Sequence, residues 1–160
     1  TVKVFSSLTC PHCANFHEKI FSSLKKDYID GGDVKFEHHS FPLDLAALNA
    51  EIIIRCHNSN DKKFQLLGEI YKKQNKWAVG SDINVINESI KEIALKSGLK
   101  NNSMDDCLNN EANQDQILNE RIQAQKKYKI QSTPTIYINE KKYEGDHNYE
   151  EFKKEIRRFL

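Results

Sequence analysis

Pro42 and Pro134 bracket a stretch with no proline and few glycines. Proline in a helix interior removes a backbone hydrogen bond and clashes with the preceding turn. A stretch this long without it is free to form consecutive helices, and the apolar spacing predicts them. Asp44 to Asn58 carries apolar residues on nearly every face, so it reads as well buried. Asp61 to Gln74 is amphipathic around Phe64, Leu67, Ile70 and Tyr71. Ile83 to Ser97 follows, closed by Gly98 at a C′ position. Ser103 to Asp106 resembles a capping box that starts a short helix through Cys107 and Leu108, and Gln114 to Tyr128 is the last helix. The single tryptophan, Trp77, is assigned to packing in this block.

The two ends of the chain follow a different pattern. Val2 to Phe5 reads as a short buried strand, and Pro11 suits the first turn of a helix. Ala14 to Tyr28 has helical spacing through Phe16, Ile20, Phe21 and Leu24. Gly31 to Asp33 makes a turn, and Val34 to Phe41 is a strand ended by Pro42. Thr135 to Ile138 and Lys141 to Glu144 form a hairpin about Asn139 and Glu140. Asn148 caps a final helix, Tyr149 to Leu160, with Phe152, Ile156, Phe159 and Leu160 inward. The order is β-α-β, a helical block, then β-β-α. The expected fold is α/β, with residues 1–42 and 129–160 forming one discontinuous unit and 43–128 an inserted helical domain. The first β-α-β is expected to be a right-handed parallel crossover.

A chain of 160 residues suffices for a sizeable core. Its 24 basic and 23 acidic residues nearly cancel, which gives no basic footprint for nucleic acid. No apolar run approaches the roughly 18 residues of a membrane span. The chain opens on Thr1 without a charged or apolar leader, so it reads as cytosolic or as the mature or trimmed form of a secreted protein.

Cys10-Pro11-His12-Cys13 stands at the expected join of strand and helix. Two cysteines separated by two residues there support thiol–disulfide exchange. Cys10 is the expected exposed nucleophile and Cys13 the buried resolving thiol. Free N–H groups at the helix start, with His12 beside them, stabilise a thiolate at Cys10. A zinc half-site is the competing reading, but structural zinc needs a second ligand pair at short spacing. Cys56 and Cys107 are single and far apart, so no metal is expected. If the motif cysteines pair with each other, Cys56 is left with Cys107 as a structural disulfide; the alternative is two buried free thiols.

The segment Phe5 to Cys13, the Ser132-Thr133-Pro134-Thr135 loop and the long helical block together resemble the DsbA family of bacterial periplasmic thiol oxidases, within the thioredoxin superfamily. The Pro11-His12 pair is the specific part of the likeness, and the second cysteine pair is similar to that of alphaproteobacterial members. The resemblance implies a thioredoxin-like fold with an α-helical insertion and a redox-active Cys10–Cys13 disulfide without other cofactors. It implies a cis Pro134, with the backbone of Thr133 offered to substrate. It also implies a monomer in the periplasm, whose partners are folding secreted proteins with free thiols and a DsbB-type membrane quinone reductase.

Three positions depart from the family pattern. Val4 stands where a buried acid is usual, His38 where a lysine is usual, and Thr133 where valine is usual. The usual first edge strand is also missing, which reads as a chain shorter than its gene product. Val34, Phe36 and His38 share a strand face, so His38 becomes a candidate proton carrier for Cys13; the alternative is a satisfied core histidine. The expected function is donation of the Cys10–Cys13 disulfide to folding proteins. Alternatives are an isomerase or reductase of the same fold, or a redox-inert peptide-binding domain.

Overall fold

A computed structural model describes all residues from Thr1 to Leu160. Strand β1 (Val2–Ser6) lies inside a four-stranded sheet of order β2-β1-β3-β4. It pairs parallel with β2 (Phe36–Ser40) and antiparallel with β3 (Thr135–Ile138). The short β4 (Lys141–Lys142) closes a hairpin with β3. Asn139 takes a left-handed conformation, φ 51°, at the hairpin turn, which asparagine tolerates better than most residues.

Helix α1 (Pro11–Phe16) continues without a break through a π-helical turn at His17–Phe21. The short α2 (Ser22–Leu24) and a second π-helical turn at Lys25–Ile29 complete it. The helical block comprises α3 (Leu45–Arg55), α4 (Asn60–Lys72), α5 (Gln74–Trp77), α6 (Ile83–Leu95), α7 (Asn101–Asn109) and α8 (Glu111–Tyr128). A last helix, α9 (Tyr149–Arg157), follows the hairpin.

Side-chain caps define most helix starts. Asp44, Ser59, Asp82, Asn110 and Asn148 each accept a backbone N–H of the first turn. Ser103 does not cap: α7 begins at Asn101, and Asp105 of the supposed box pairs instead with Lys91. The buried Met104 anchors this turn, so tertiary packing prevails over the local capping signal. The last helix is also shorter than expected. Phe159 and Leu160 lie past its end and remain exposed, because Phe152 and Ile156 already fill the inward stripe. Sequence reading missed α5, whose Trp77 donates its indole N–H to the Ile70 carbonyl at 2.7 Å.

Two main cores meet along α1. Phe16, Ile20 and Leu24 pack with Val2, Val4, Ile136 and Phe152 on one face of the sheet. Cys10, Cys13 and Ala14 belong instead to the core of the helical block, with Ile53, Leu66, Tyr71 and Trp77. Helix α3 passes through this region with every residue from Ala47 to Ile54 buried.

Cys56, just after α3, and Cys107 of α7 are disulfide-bonded across a separation of 51 residues. Closing a loop of that size limits the unfolded chain, by at most about 4 kcal/mol on the entropic model. Replacing both cysteines by serine should lower the unfolding free energy by about 2–4 kcal/mol in a urea titration. An unchanged midpoint would show that the crosslink does not restrict the unfolded ensemble.

Candidate active site

Strand β1 ends at Ser6, and the chain turns through Ser7-Leu8-Thr9 into α1. Cys10 occupies the N-cap with extended backbone, and Pro11 follows in the first turn. The Cys10 carbonyl accepts the N–H groups of Cys13 and Ala14, each at 3.1 Å. The backbone N–H groups of His12 and Cys13 at the helix start also lie toward the Cys10 sulfur.

Several contacts hold this turn in place. Thr9 donates its hydroxyl to Asp44 at 2.9 Å, and the Ser7 hydroxyl accepts the Leu43 N–H at 3.2 Å. Gln74, at the start of α5, donates its amide to the carbonyls of Leu8 at 2.7 Å and Cys10 at 3.0 Å. Both amide protons of Gln74 are thus committed to the turn that carries the motif. No local pattern marks Gln74, because its partners lie more than sixty positions away.

Thr133–Pro134 is a cis peptide. It brings the Thr133 carbonyl to 3.6 Å from the Cys10 sulfur, which donates to it as a thiol. Pro134 is buried, while Thr133 is half-buried. Cys10 is more enclosed than expected, with 9% of its surface accessible against 2% for Cys13. The Thr133 loop covers part of the sulfur that an open helix end would expose. His12 remains exposed and Pro11 lies beside it on the surface.

The two thiols differ sharply in acidity. A hydrogen bond from Cys13, opposed by burial, holds the Cys10 thiol down to about 5, with help from Thr133 and the N–H groups of Cys13 and His12. Burial pushes the Cys13 thiol up, and its hydrogen bond to Cys10 adds to this. A thiolate at Cys10 is therefore paired with a retained proton at Cys13.

A polar chain lies beneath the motif. Tyr71 donates its hydroxyl to Ser6 at 3.0 Å, and Ser6 lies 3.3 Å from His38 Nδ1. His38 Nε2 meets Glu51 at 3.1 Å, and Glu51 also accepts from Arg55 at 3.0 Å. Arg55 continues to Glu120 at the surface. His38 is thus a partnered histidine, set apart from the cysteines by Ser6 and by Tyr71, which packs in their core. Burial raises the Glu51 carboxyl, but the charges of His38 and Arg55 outweigh it and hold the group well below the usual carboxylate range. Register places Val4 beside His38, so β1 supplies no acid at that position. Glu51 of α3 provides one from the helical block. A single acidic residue inside a mostly apolar helix is its signal in the sequence.

Of the residues singled out from sequence, Pro11, His12, Cys10, Cys13, Thr133 and Pro134 come together. His38 sits one layer deeper. Cys56 and Cys107 are bonded elsewhere, between the end of α3 and α7. No group of three or more metal-ligating side chains occurs in the structure.

A sequence model of the thioredoxin family matches residues 1–158. A putative protein-disulfide oxidoreductase of Rickettsia typhi is 30% identical over 135 residues, covering 84% of this chain and 49% of that protein. The chain therefore spans about half the length of this rickettsial relative. Disulfide bond formation protein D of Bacillus subtilis is 30% identical over the whole chain and 72% of its own length. The crystal structure of Wolbachia pipientis alpha-DsbA1 superposes with a TM-score of 0.88 at 27% identity, covering 98% of this chain and 83% of that one. Oxidised BdbD from B. subtilis gives 0.85 at 25% identity, over 98% of this chain and 85% of that one. With its four-stranded sheet, cysteine-bearing helix and helical insertion, the chain belongs to the DsbA family of the thioredoxin superfamily.

Proposed function

We propose that this chain is a thiol:disulfide oxidoreductase that donates a Cys10–Cys13 disulfide to secreted proteins as they fold in the periplasm. The opposed acidities of the two thiols carry the reading. Cys10 is the more accessible sulfur of the pair and the better leaving thiolate, and Cys13 keeps its proton. The names of the relatives, which are protein-disulfide oxidoreductases and disulfide bond formation proteins, support the same chemistry. A disulfide at Cys56–Cys107 accords with an oxidising compartment.

In this proposal a substrate thiolate attacks Cys10 of the oxidised pair. The Cys10–Cys13 bond breaks, a mixed disulfide forms, and Cys13 leaves with its electron pair and takes up a proton. A second substrate thiolate then attacks the substrate sulfur bonded to Cys10 and expels Cys10 as the thiolate. The substrate loses two electrons and the motif gains them. His12 and the helix N–H groups favour the released thiolate, and Pro11 fixes the first turn. The cis Pro134 peptide presents the Thr133 backbone to an extended substrate segment. His38 supplies the proton route to Cys13 through Ser6 and Tyr71. A DsbB-type membrane quinone reductase regenerates the disulfide. An isomerase remains the second reading, favoured by Thr133 in place of valine; net oxidation of a reduced peptide against reshuffling of a scrambled protein separates the two.

The balance follows from linkage. A thiol depressed to about 5 stabilises the reduced form most fully above its ordinary unfolded value, and that stabilisation is lost as pH falls through 5. At pH 7 the gain is at most about 2.7 kcal/mol, before solvent screening reduces it. For a two-electron couple this corresponds to about 60 mV toward the oxidant.

Cys13→Ser should accumulate a mixed disulfide at Cys10 when mixed with an oxidised cysteine peptide, seen as an intact-mass adduct. Absence of the adduct would remove Cys10 as the sulfur that carries the mixed disulfide. Alkylation of the reduced protein by iodoacetamide should follow a single ionisation with a midpoint near 5, with Cys13 unmodified. Gln74→Met keeps the side-chain bulk but loses both hydrogen bonds to the motif turn. Its midpoint should move upward by about half a unit or more, the order of one lost hydrogen bond. An unmoved midpoint would assign Gln74 to packing alone.

A further inference from the structure

Away from the cysteines, a groove of about 970 Å³ opens between the first π-helical turn, β2 and α4. Phe21, Phe36 and Phe64 form its apolar wall, with ring centroids 4.6–6.2 Å apart. The π-helical turn carries both His17 and Phe21 and stacks their rings at 4.4 Å. Such turns are rare and occur often at functional sites.

His17 is the unusual member. It is only 8% exposed, yet neither ring nitrogen has a hydrogen-bond partner within the protein. Every fully enclosed polar side-chain atom in the structure is partnered, so the open nitrogen of His17 is one that reaches the groove. Burial keeps the imidazole neutral, so it offers one donor and one acceptor. Directly opposite lies Gly68, in the interior of α4, where glycine is otherwise unfavourable. A Cβ at Gly68 would stand 3.6 Å from His17 Nε2, so the missing side chain leaves the imidazole uncovered.

We infer that this groove binds a small, neutral aromatic molecule bearing one hydroxyl or ring N–H, of the phenol or indole class. The ring would lie on the phenylalanine wall, and its polar hydrogen would meet the free nitrogen of His17. The rim carries the acids Glu18, Asp30, Asp61 and Glu69 against Lys25 and Lys72, which disfavours anions. The volume lies in the range of small-molecule sites. The mechanism proposed for Cys10 does not use His17, so this inference stands independently of that reading.

The test uses the full chain and three probes, p-cresol, indole and toluene, followed by the ring proton resonances of Phe21, Phe36 and Phe64, which every variant retains, and by those of His17 where it is present. Saturable shifts are expected with p-cresol and indole, with toluene at least fivefold weaker. Gly68→Ala places a methyl at ordinary contact distance and should weaken p-cresol at least threefold. His17→Phe should bring p-cresol and toluene to equal affinity. An unchanged alkylation midpoint at Cys10 would show that both variants remain folded. Equal binding of toluene and p-cresol to the unaltered protein, no saturable shift, or full affinity in the folded Gly68→Ala variant would each overturn the assignment. A blocked tyrosine tripeptide that binds more tightly than p-cresol would overturn it in favour of a polypeptide site.

Discussion

Helix α1 is buried from two sides at once, and the rest of the architecture depends on this. One stripe, Phe16, Ile20 and Leu24, seals the sheet. Another, Cys10, Cys13 and Ala14, closes the core of the helical block. Each large buried side chain contributes roughly 1.5–3 kcal/mol relative to exposure, so neither stripe can leave its core without serious loss. The motif is consequently fixed by both halves of the molecule. The chain returns to it three times: at Asp44 after β2, at Gln74 at the start of α5, and at Thr133 before β3.

That geometry turns two identical side chains into an acid and a retained thiol. Cys10 sits at a helix start, where hydrogen bonds meet its sulfur and leave it partly enclosed. Cys13 lies one turn deeper, where desolvation dominates. No metal or distant charge is required for the difference. The chain also solves the buried charge beneath the motif in its own way. Where β1 offers Val4, the acid comes from α3 as Glu51, held by His38 and Arg55. Removing one member of such a buried set leaves the others uncompensated, so the three residues are constrained together.

Much of this was legible before the structure, for physical reasons. Strands and helices with a strong apolar period announced themselves, as did Pro11, the Asn148 cap and the proline-free block. What escaped was set by contacts between distant segments. Ser103 has the sequence of a cap but lies inside α7, because Met104 is drawn into the core. Phe159 and Leu160 have the right period but fall beyond the end of α9. The enclosure of Cys10 depends on a loop more than a hundred residues away. Gln74 has no local signature, and the π-helical turns after Phe16 leave none in an apolar pattern read at ordinary helical spacing.

The central claim is that hydrogen bonds at the helix start tip the Cys10–Cys13 pair toward the oxidant. Its equilibrium with glutathione at pH 7 tests this directly, with the reduced fraction read across a series of buffers. Thioredoxin lies near about −270 mV, and the stabilisation of the Cys10 thiolate adds roughly 60 mV. The expected potential therefore lies clearly above about −270 mV and reaches up to about −210 mV on that scale. A value near about −270 mV would contradict it.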